Sequence, residues 1–356
     1  MSLSKEELQR YSRHLLMEEF GLEAQLRLKS AKILVVGAGG LGCPCLLYLA
    51  AAGVGFLGIA DDDVVSFSNL QRQVLFNTED VGKPKAATAK SHLLKKNPLI
   101  HIQTHSRIKK ENVIEIISDY DLVIDGSDNF STRYLLNDAC VISGKPYIYG
   151  ALFKFEGQVS TFNYQNGPTY RCLYPEAPAP GEVPSCGEAG VLGVLPGIIG
   201  TWQATEAIKV ITGTGKPLSG QLLVMNLLTN ELTNFRFKAN PSNKEIMDLG
   251  LYEEVCQGYN QSIGYTVLKT WLATEDILLI DVREKVEFER FNIGGLNIPL
   301  AELEHCPIPV QLNKKTVLVC QTGTRSFYAS QLLKKRSPES EIYDLKGGLQ
   351  AAFSVR

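Results

Sequence analysis

The feature that most restricts the fold is an uncharged stretch at residues 33–60, which reads ILVVGAGGLGCPCLLYLAAAGVGFLGIA. Its length would suffice for a transmembrane helix, which needs about 20 apolar residues. Seven glycines and Pro44 interrupt it, and they favour several short elements over one long helix. The sequence therefore predicts a buried strand (KILVV), a glycine turn, a helix (PCLLYLAAAG) and a second buried strand (FLGIA).

This unit begins a longer alternation of strands and helices. Further strand patterns at 102–104 and 122–125 are separated by helical ones, which is typical of a doubly wound α/β sheet. Later candidates for helices and strands are STRYLLNDACVIS, YIYGA, GQVSTFNY and WQATEAIKVI. The first part of the chain is thus predicted to be a Rossmann-like domain.

Chain length indicates two domains. The chain has 356 residues, and a domain has roughly 150. A polar segment at 241–262 is predicted to be a linker, and a smaller α/β pattern follows with strands at DILLIDV and TVLVCQ. We expect a first domain at 1–240 and a second, smaller α/β domain at 263–356.

Composition excludes some classes of function. A net charge of -2 argues against a general nucleic-acid or membrane binder. Eight cysteines without a secretory leader favour reduced thiols, so a cytoplasmic protein is expected. The N-terminal segment instead predicts an amphipathic helix, in which Ser4 and Glu7 have the spacing of a capping box.

A glycine loop, GAGGLG, lies between the first strand and the first helix of the sheet. Gly37, Gly39, Gly40 and Gly42 belong to it, and such a loop brings backbone close to a phosphate at a helix N-terminus. Asp61 closes the second strand and is suitably placed for a ribose hydroxyl. An NAD-binding domain is the first hypothesis, and a structural turn without a ligand is the alternative.

The residues after the second strand favour a triphosphate over NAD. Asn69, Arg72 and Gln73 lie in SFSNLQRQ, and Lys85 follows in VGKPKA. Cationic donors form strong charge-assisted hydrogen bonds with phosphates, although a solvated basic face would also explain them. Asp128 follows a strand and can hold Mg²⁺ against phosphate oxygens, unless it is a helix cap.

Over about residues 4–238 these features resemble a known family, the MoeB/ThiF adenylyltransferases, which are related to the ubiquitin-activating enzymes. The matching segments, in the order of the family, are RYSRH, GAGGLGCP, SNLQRQ, VGKPKA, SDN, FEGQVSTF, YRCL, SCGEAGV and GTWQATEAIK. The resemblance implies that ATP is used to adenylate the C-terminal glycine carboxylate of a ubiquitin-like sulfur carrier.

The resemblance also implies roles for individual residues. Asp61 would hold the ribose, Asn69 and Arg72 the phosphates, Lys85 the transferring phosphoryl region and Asp128 the Mg²⁺ ion. The expected cofactors are therefore ATP and Mg²⁺, bound at the glycine loop.

The implied partners are proteins. They are a carrier ending in Gly-Gly, a persulfide donor such as a cysteine desulfurase, and a second copy of the chain. Arg13 would reach the phosphates across the interface of that homodimer. No nucleic-acid or membrane partner is expected.

The sequence departs from the family at a zinc site. Many members hold a structural zinc on two C-x-x-C pairs, but here Thr169 to Cys172 keeps one cysteine and KANPSNKE has none. A closed structural site needs four ligands, so no zinc is expected and Cys172 is interpreted as a buried thiol. Cys43 and Cys45 are interpreted as core residues.

Cys186 ends a proline-rich loop and precedes a helix, where the helix dipole would lower the pKa of its thiol. Some relatives use the matching cysteine to bond the carrier or its sulfur, and in others it is dispensable. Both readings stay open.

A thiol loop, CQTGTRS, lies near the C-terminus. The loop residues expected to act on sulfur are Cys320, Gln321, Thr322, Gly323, Thr324 and Arg325. The loop follows a strand and precedes a helix, so backbone N–H groups should stabilise a thiolate or persulfide at Cys320. It is one residue shorter than the loop of cysteine phosphatases, which favours sulfur over phosphate. A buried strand-end cysteine is the alternative.

Residues 263–356 resemble the rhodanese sulfurtransferases, through LIDVRE, FNIGGLNIPL, LKGGLQAAF and the thiol loop. Arg325 would hold an anionic sulfur donor, whereas Asp281 and Arg283 are expected to be structural. The fused order resembles the MoeB-rhodanese proteins and implies that a persulfide on Cys320 displaces AMP to give a thiocarboxylate.

The pathway of the carrier and two alternative functions stay open at this point. The carrier could belong to molybdopterin, thiamin or related sulfur-transfer biosynthesis. The chain could also be an NAD-dependent oxidoreductase with an appended thiol domain. A non-catalytic scaffold that binds the carrier is the third possibility.

Overall fold

The computed structural model describes residues 2–177, 190–250, 252, 262–303, 314–337 and 339–353. These residues form two compact units, the first ending at Tyr252 and the second beginning at residue 262. Each unit has a sheet and a hydrophobic core of its own.

The first unit alternates strands and helices over most of its length. Its α-helices are α1 (Lys5–Arg10), α2 (Ser12–Leu15), α3 (Gly21–Ser30), α4 (Gly42–Ala52), α5 (Lys85–Lys96), α6 (Val113–Ser118), α7 (Phe130–Ile142), α8 (Tyr170–Leu173) and α9 (Val194–Thr212). Its strands are β1 (Lys32–Val36), β2 (Phe56–Ala60), β3 (His101–His105), β4 (Leu122–Asp125), β5 (Tyr147–Phe153), β6 (Glu156–Phe162), β7 (Gln221–Asn226) and β8 (Glu231–Arg236).

These strands form one sheet in the order β3-β2-β1-β4-β5-β6-β7-β8. Strands β3 to β5 of that order are parallel, and β6, β7 and β8 continue the sheet antiparallel. The chain crosses from one side of β1 to the other between β3 and β4, and ligands of α/β sheets bind at such a switch point. The predicted doubly wound α/β fold is confirmed.

The uncharged stretch at 33–60 forms β1, the glycine turn, α4 and β2, as predicted. Ile33 and Val35 enter one core and Leu34 and Val36 enter the other. Because helices cover both faces of the sheet, β1 is buried and apolar from Ile33 to Val36, and only Lys32 at its start is exposed. Within the described part of the chain, no helix is long and apolar enough to cross a bilayer.

The N-terminal helix differs from its prediction. The capping box is confirmed, because Ser4 Oγ accepts from Glu7 N at 3.2 Å and Glu7 Oε2 accepts from Ser4 N at 2.6 Å. The helix is broken into α1 and α2 at Tyr11, whose side chain is buried at 4% exposure. Amphipathic periodicity did not reveal this break.

The second unit is a smaller parallel α/β fold. Its strands are β9 (Ser262–Ile263), β10 (Leu278–Asp281), β11 (Leu296–Asn297), β12 (Thr316–Val319) and β13 (Ile342–Leu345), in the order β11-β10-β12-β13-β9. Its helices are α10 (Tyr265–Thr274), α11 (Lys285–Arg290), α12 (Leu300–Leu303), α13 (Thr324–Arg336) and α14 (Gly348–Phe353). Val317 and Leu318 point to opposite faces and into separate cores.

We predict that Leu318→Ala destabilises the second unit by about 2–5 kcal/mol, because truncating a fully buried leucine leaves a cavity. Urea unfolding followed by the fluorescence of Trp271, in a Trp202→Phe background, measures it. Leu272→Ala is the control, since Leu272 is 44% exposed and its truncation should cost far less. Equal losses from both substitutions would contradict the assignment of the core.

Candidate functional site

The glycine turn brings the carboxyl ends of β1 and β4 together. A Cβ on Gly42 would lie 1.9 Å from the Gly37 carbonyl oxygen, and one on Gly37 would lie 2.6 Å from the Gly126 oxygen. Gly37 also has a φ of 96°, which side-chain-bearing residues rarely adopt. By contrast, a Cβ on Gly39 would meet only the Gln73 side chain, at 3.8 Å. Gly37 and Gly42 are therefore needed for packing, whereas Gly39 leaves space open.

A cavity of about 300 Å³ lies at this edge of the sheet. The predicted site residues that line it are Gly37, Gly39, Gly40, Asp61, Arg72, Lys85 and Asp128. The structure thus brings together residues that are up to 91 positions apart in the sequence, from Gly37 to Asp128.

Asp61 is held rigidly next to the glycine turn. Its Oδ2 accepts from Ala38 N at 2.7 Å, and its Oδ1 accepts from Asp63 N at 2.9 Å. Burial raises the pKa of the Asp61 carboxyl. Each oxygen retains acceptor capacity, so the group can accept from the hydroxyls of a ribose.

Lys85 is a buried cation, not part of a solvated basic face. Its side chain is 6% exposed, and Nζ donates to Asp63 Oδ2 at 2.7 Å. Arg72 is partly buried and donates from Nη1 to the Ser68 carbonyl at 3.3 Å. Both side chains line the cavity, so each brings a cationic group that could contact an anionic ligand, beside the carboxylates of the same lining.

Asp128 is exposed and lines the cavity. The helix-cap alternative is wrong, because the cap of α7 is Asn129, whose Oδ1 accepts from Thr132 N at 2.8 Å. An exposed carboxylate next to a predicted phosphate site suits Mg²⁺, which is usually held by one or two carboxylates and phosphate oxygens.

Three other predicted residues are placed outside this cavity lining, as far as the structure describes the chain. Gly42 is buried at the start of α4. Asn69 shapes the adjacent segment, since its carbonyl accepts from Arg72 N at 3.1 Å and from Gln73 N at 3.0 Å. Arg13 is exposed on α2.

Two buried polar side chains without an assigned role also line the cavity. Gln73 is 3% exposed and Arg133 is 7% exposed. Gln73 Oε1 and Arg133 Nε have no hydrogen-bond partner within the described residues. The sequence signal for Arg133 is a single charge in the N-terminal half of a helix, α7, that is otherwise largely buried.

The thiol loop encloses Cys320 at the end of β12. Its Sγ accepts from Gly323 N at 3.1 Å, and Ser326 Oγ lies 3.4 Å from the sulfur. Ser326 is fully buried and also donates to the Gly323 carbonyl, at 3.1 Å. Ser326 was not among the predicted loop residues, although it is the next residue in the sequence. These contacts suit a sulfur anion, which backbone N–H groups and hydroxyls stabilise.

Two glycines, Gly347 and Gly348, lie where α14 contacts the backbone of the thiol loop. Leu349 N donates to the Cys320 carbonyl and Gln350 N to the Gln321 carbonyl, both at 2.9 Å. A Cβ on Gly348 would lie 2.5 Å from each of these carbonyl oxygens. The glycines of LKGGLQ thus allow α14 to approach the loop backbone.

Arg325 is already paired with a carboxylate. Its Nη1 and Nη2 donate to Glu287 Oε2 and Oε1 at 2.7 and 2.8 Å, and these hydrogen bonds lower the pKa of Glu287. An anionic sulfur donor would have to compete with Glu287 for this guanidinium.

Asp281 and Arg283 form a buried pair, in which Arg283 Nη2 donates to Asp281 Oδ2 at 2.7 Å. Arg283 Nη1 also donates to Gln321 Oε1 at 3.3 Å. Both side chains support the thiol loop from inside the domain, as the structural interpretation expected.

Cys172 is only partly buried, so the interpretation as a buried thiol is wrong. Its Sγ accepts from Asn240 N at 3.2 Å, Thr169 N at 3.4 Å and Asn243 Nδ2 at 3.6 Å. Burial raises the pKa of this thiol, but the hydrogen bonds from Thr169 and Asn240 outweigh it and lower the pKa. Thr169, Asn240 and Asn243 thus surround the single remaining cysteine with hydrogen-bond donors.

Cys43 and Cys45 are buried in the core, as predicted. Burial raises the pKa of Cys43 to about 12. Cys186 falls in the segment 178–189, outside the described residues, so both readings of its role stay open.

Sequence comparison identifies both parts of the chain. A model of the ThiF family matches residues 11–246, and a model of the rhodanese-like domain matches residues 265–353. The "Probable adenylyltransferase/sulfurtransferase MoeZ" of Mycobacterium tuberculosis is 43% identical, over 98% of this chain and 94% of its own. The "Sulfur carrier protein adenylyltransferase" of Thermus thermophilus is 48% identical, over 72% of this chain and 99% of its own. "Adenylyltransferase and sulfurtransferase MOCS3" of Drosophila grimshawi is 40% identical, over 98% of this chain and 84% of its own.

Solved structures support the fold of the first unit. E. coli MccB with ATP has a TM-score of 0.60 and 22% identity, covering 67% of this chain and 74% of MccB. At that identity the likeness concerns the fold alone. The family match spans more than half of the chain, and relatives match it across both domains. The chain therefore belongs to the ThiF family and carries a rhodanese-like domain after the ThiF domain.

Proposed function

We propose that this enzyme adenylates the C-terminal glycine carboxylate of a ubiquitin-like sulfur carrier and then supplies sulfur from a persulfide on Cys320. The observation that carries the proposal is the presence of two distinct sites in one chain. One is the cavity of about 300 Å³ that buried Lys85 lines, and the other is the thiol loop around Cys320. The names of the MoeZ and MOCS3 relatives combine the same two activities.

Adenylation needs cations more than it needs a nucleophilic side chain. An oxygen of the carrier carboxylate attacks the α-phosphorus of ATP, and the bond to pyrophosphate breaks. Because the two reacting groups are both negative, the barrier falls through positioning and through positive charge around the phosphates. Arg72 and Lys85 would supply that charge, with Asn69 beside them.

Two carboxylates complete the proposed nucleotide site. Asp61 would accept from the ribose hydroxyls, because backbone hydrogen bonds already orient it. Asp128 would hold Mg²⁺, since its carboxylate is exposed at the cavity and does not cap α7. The metal would neutralise phosphate charge.

Sulfur transfer follows from the acyl-adenylate. The terminal sulfur of a Cys320 persulfide attacks the carrier's acyl carbon, and AMP leaves. The product is an acyl group joined through two sulfurs to Cys320. A second thiol must then attack the Cys320 sulfur to release the thiocarboxylate, which leaves a disulfide. We propose Cys186 as that second thiol. In the alternative role, Cys186 is the residue to which the carrier itself becomes attached.

The proposed partners follow the same chemistry. They are a carrier ending in Gly-Gly, a persulfide donor such as a cysteine desulfurase, and a second copy of the chain whose Arg13 would complete the phosphate site. Arg13 is exposed and therefore accessible to a partner. A persulfide relay requires reduced thiols, which supports a cytoplasmic location. The relative from Porphyra purpurea is named a probable molybdopterin-synthase adenylyltransferase, so molybdopterin biosynthesis is one candidate pathway.

ATP-pyrophosphate exchange that depends on a carrier is the primary test of adenylation. Asp128→Asn should reduce exchange by about 100-fold, because it weakens the metal ligand. The protein should fold normally, since the Asp128 side chain is exposed. Asp248→Asn, at another exposed aspartate, is the control and should exchange like the wild type. Undiminished exchange by Asp128→Asn would place the metal elsewhere.

Gly39→Ala should separate ATP binding from folding. The added methyl group meets no backbone within 4 Å but projects at the cavity, so the melting temperature should stay unchanged. ATP affinity, measured by calorimetry, should fall about tenfold or more because the phosphates can no longer approach the turn. Gly197→Ala is the matched control, since nothing lies within 4 Å of its Cβ and it is outside the cavity lining. Normal ATP affinity in Gly39→Ala would contradict the proposed phosphate site.

Cys320→Ala should separate the two activities. Adenylation uses only the first domain, so exchange should stay near the wild-type rate. Transfer of sulfur from thiosulfate or a persulfide donor to the carrier should stop, because alanine provides no sulfur atom. Mass spectrometry of the carrier C-terminus measures the thiocarboxylate, and Cys172→Ala serves as the control thiol. Thiocarboxylate formed at normal rates by Cys320→Ala, without added sulfide, would refute the assignment.

A further inference from the structure

We propose that Arg133 binds the C-terminal carboxylate of the carrier that is to be adenylated, at the end of the nucleotide cavity next to β5. The inference rests on the proposed adenylation reaction and assigns its substrate carboxylate to a residue. Arg133 lines the cavity and belongs to α7, directly after the strand end that carries Asp128.

Arg133 is a buried cation, and its Nε–H group makes no hydrogen bond to the described residues. It is 7% exposed. The guanidinium carbon lies 5.2 Å from the ring centre of Phe130 and 5.6 Å from that of Tyr149. Aromatic faces stabilise the charge but accept few of its five N–H groups. Such a group is costly to bury unless a ligand completes its bonding.

The neighbouring carboxylate, Asp125, does not complete the hydrogen bonding of Arg133. Asp125 is fully buried and balances the charge of Arg133, but its Oδ2 lies 3.9 Å from Arg133 Nε, beyond hydrogen-bonding distance. Other donors occupy Asp125. Its Oδ1 accepts from Ser127 N at 2.8 Å and Ser127 Oγ at 2.6 Å, and its Oδ2 accepts from Tyr147 at 2.6 Å. Asp125 therefore offsets the charge of the arginine without forming a hydrogen bond to its Nε.

The order of the strands places Arg133 beyond the proposed phosphate position, on the side away from Asp61. The edge of the sheet runs from β2, which ends before Asp61, through β1 and the glycine turn, to β4 and then β5. With the ribose at Asp61 and the phosphates at the glycine turn, the next space lies between β4 and β5. Arg133 packs on Tyr149 of β5, and Leu152 of the same strand lines the cavity.

The chemistry favours a carboxylate at this position. Arg72 and Lys85 lie in the segment that follows β2, on the phosphate side, whereas Arg133 lies in the helix that follows β4. A guanidinium binds a planar carboxylate through two parallel hydrogen bonds, which would also fix its orientation for attack on the α-phosphorus.

The test compares two forms of a recombinant ubiquitin-like carrier, one ending in Gly-Gly carboxylate and one in the corresponding amide. Calorimetry in the presence of a non-hydrolysable ATP analogue gives the affinity for each. The wild type should bind the carboxylate about tenfold or more tightly than the amide. Arg133→Met should bind both forms equally and keep the wild-type affinity for the ATP analogue. Arg72→Met should do the reverse, with weaker binding of the analogue and an intact preference for the carboxylate.

Several results would overturn the inference. They are a wild type that does not distinguish the two forms, an Arg133→Met protein that still prefers the carboxylate, and an Arg133→Met protein that loses the ATP analogue. Arg133→Lys, which keeps the charge, covers the case in which Arg133→Met does not fold. It should retain only part of the preference, because an ammonium cannot form the paired hydrogen bonds, and full retention would also refute the inference. If the wild type neither exchanges pyrophosphate nor binds the carrier, the proposed function itself fails.

Discussion

The close approach of backbone at the glycine turn is the constraint on which the nucleotide site depends. Gly42 packs over the Gly37 carbonyl, and Gly37 packs against Gly126 after β4. Because no side chain separates them, the ends of β1 and β4 meet, and the glycine turn and the first turn of α7 line the same cavity. A larger residue at either glycine would separate the turn from Asp128, so the proposed phosphate and metal sites would no longer adjoin.

The cations in this cavity are kept in place by neighbouring carboxylates, one exposed and one buried. Asp63 holds the ammonium of Lys85, whose side chain is otherwise removed from water. Asp125 offsets Arg133 without bonding to it, since Ser127 and Tyr147 occupy its oxygens. The two cations are thus held before a ligand arrives, and little reorganisation would be needed when negative charge develops in the cavity.

The thiol loop is likewise held in place by its neighbours, here around a sulfur atom. Gly323 N and Ser326 Oγ surround the sulfur of Cys320, while the backbone of α14 fixes the carbonyls on the other side. The side chain expected to recognise the donor, Arg325, is neutralised by Glu287. An anionic donor would therefore have to compete with this internal carboxylate for the guanidinium of Arg325.

The sequence by itself determined the fold class and pointed to several of the residues that line the cavity. Apolar strands, a glycine turn and a following aspartate have local signatures, because each depends on residues close together in the chain. It did not reveal β8, whose residues are all exposed at the edge of the sheet and lack a burial pattern. Only the tertiary structure distinguished Asn129 from Asp128 as the helix cap, paired Arg325 with Glu287 and showed that Arg133 Nε has no hydrogen-bond partner among the described residues. The physical reason is that hydrogen-bond satisfaction depends on which distant groups share a buried space, and spacing along the chain does not contain that information.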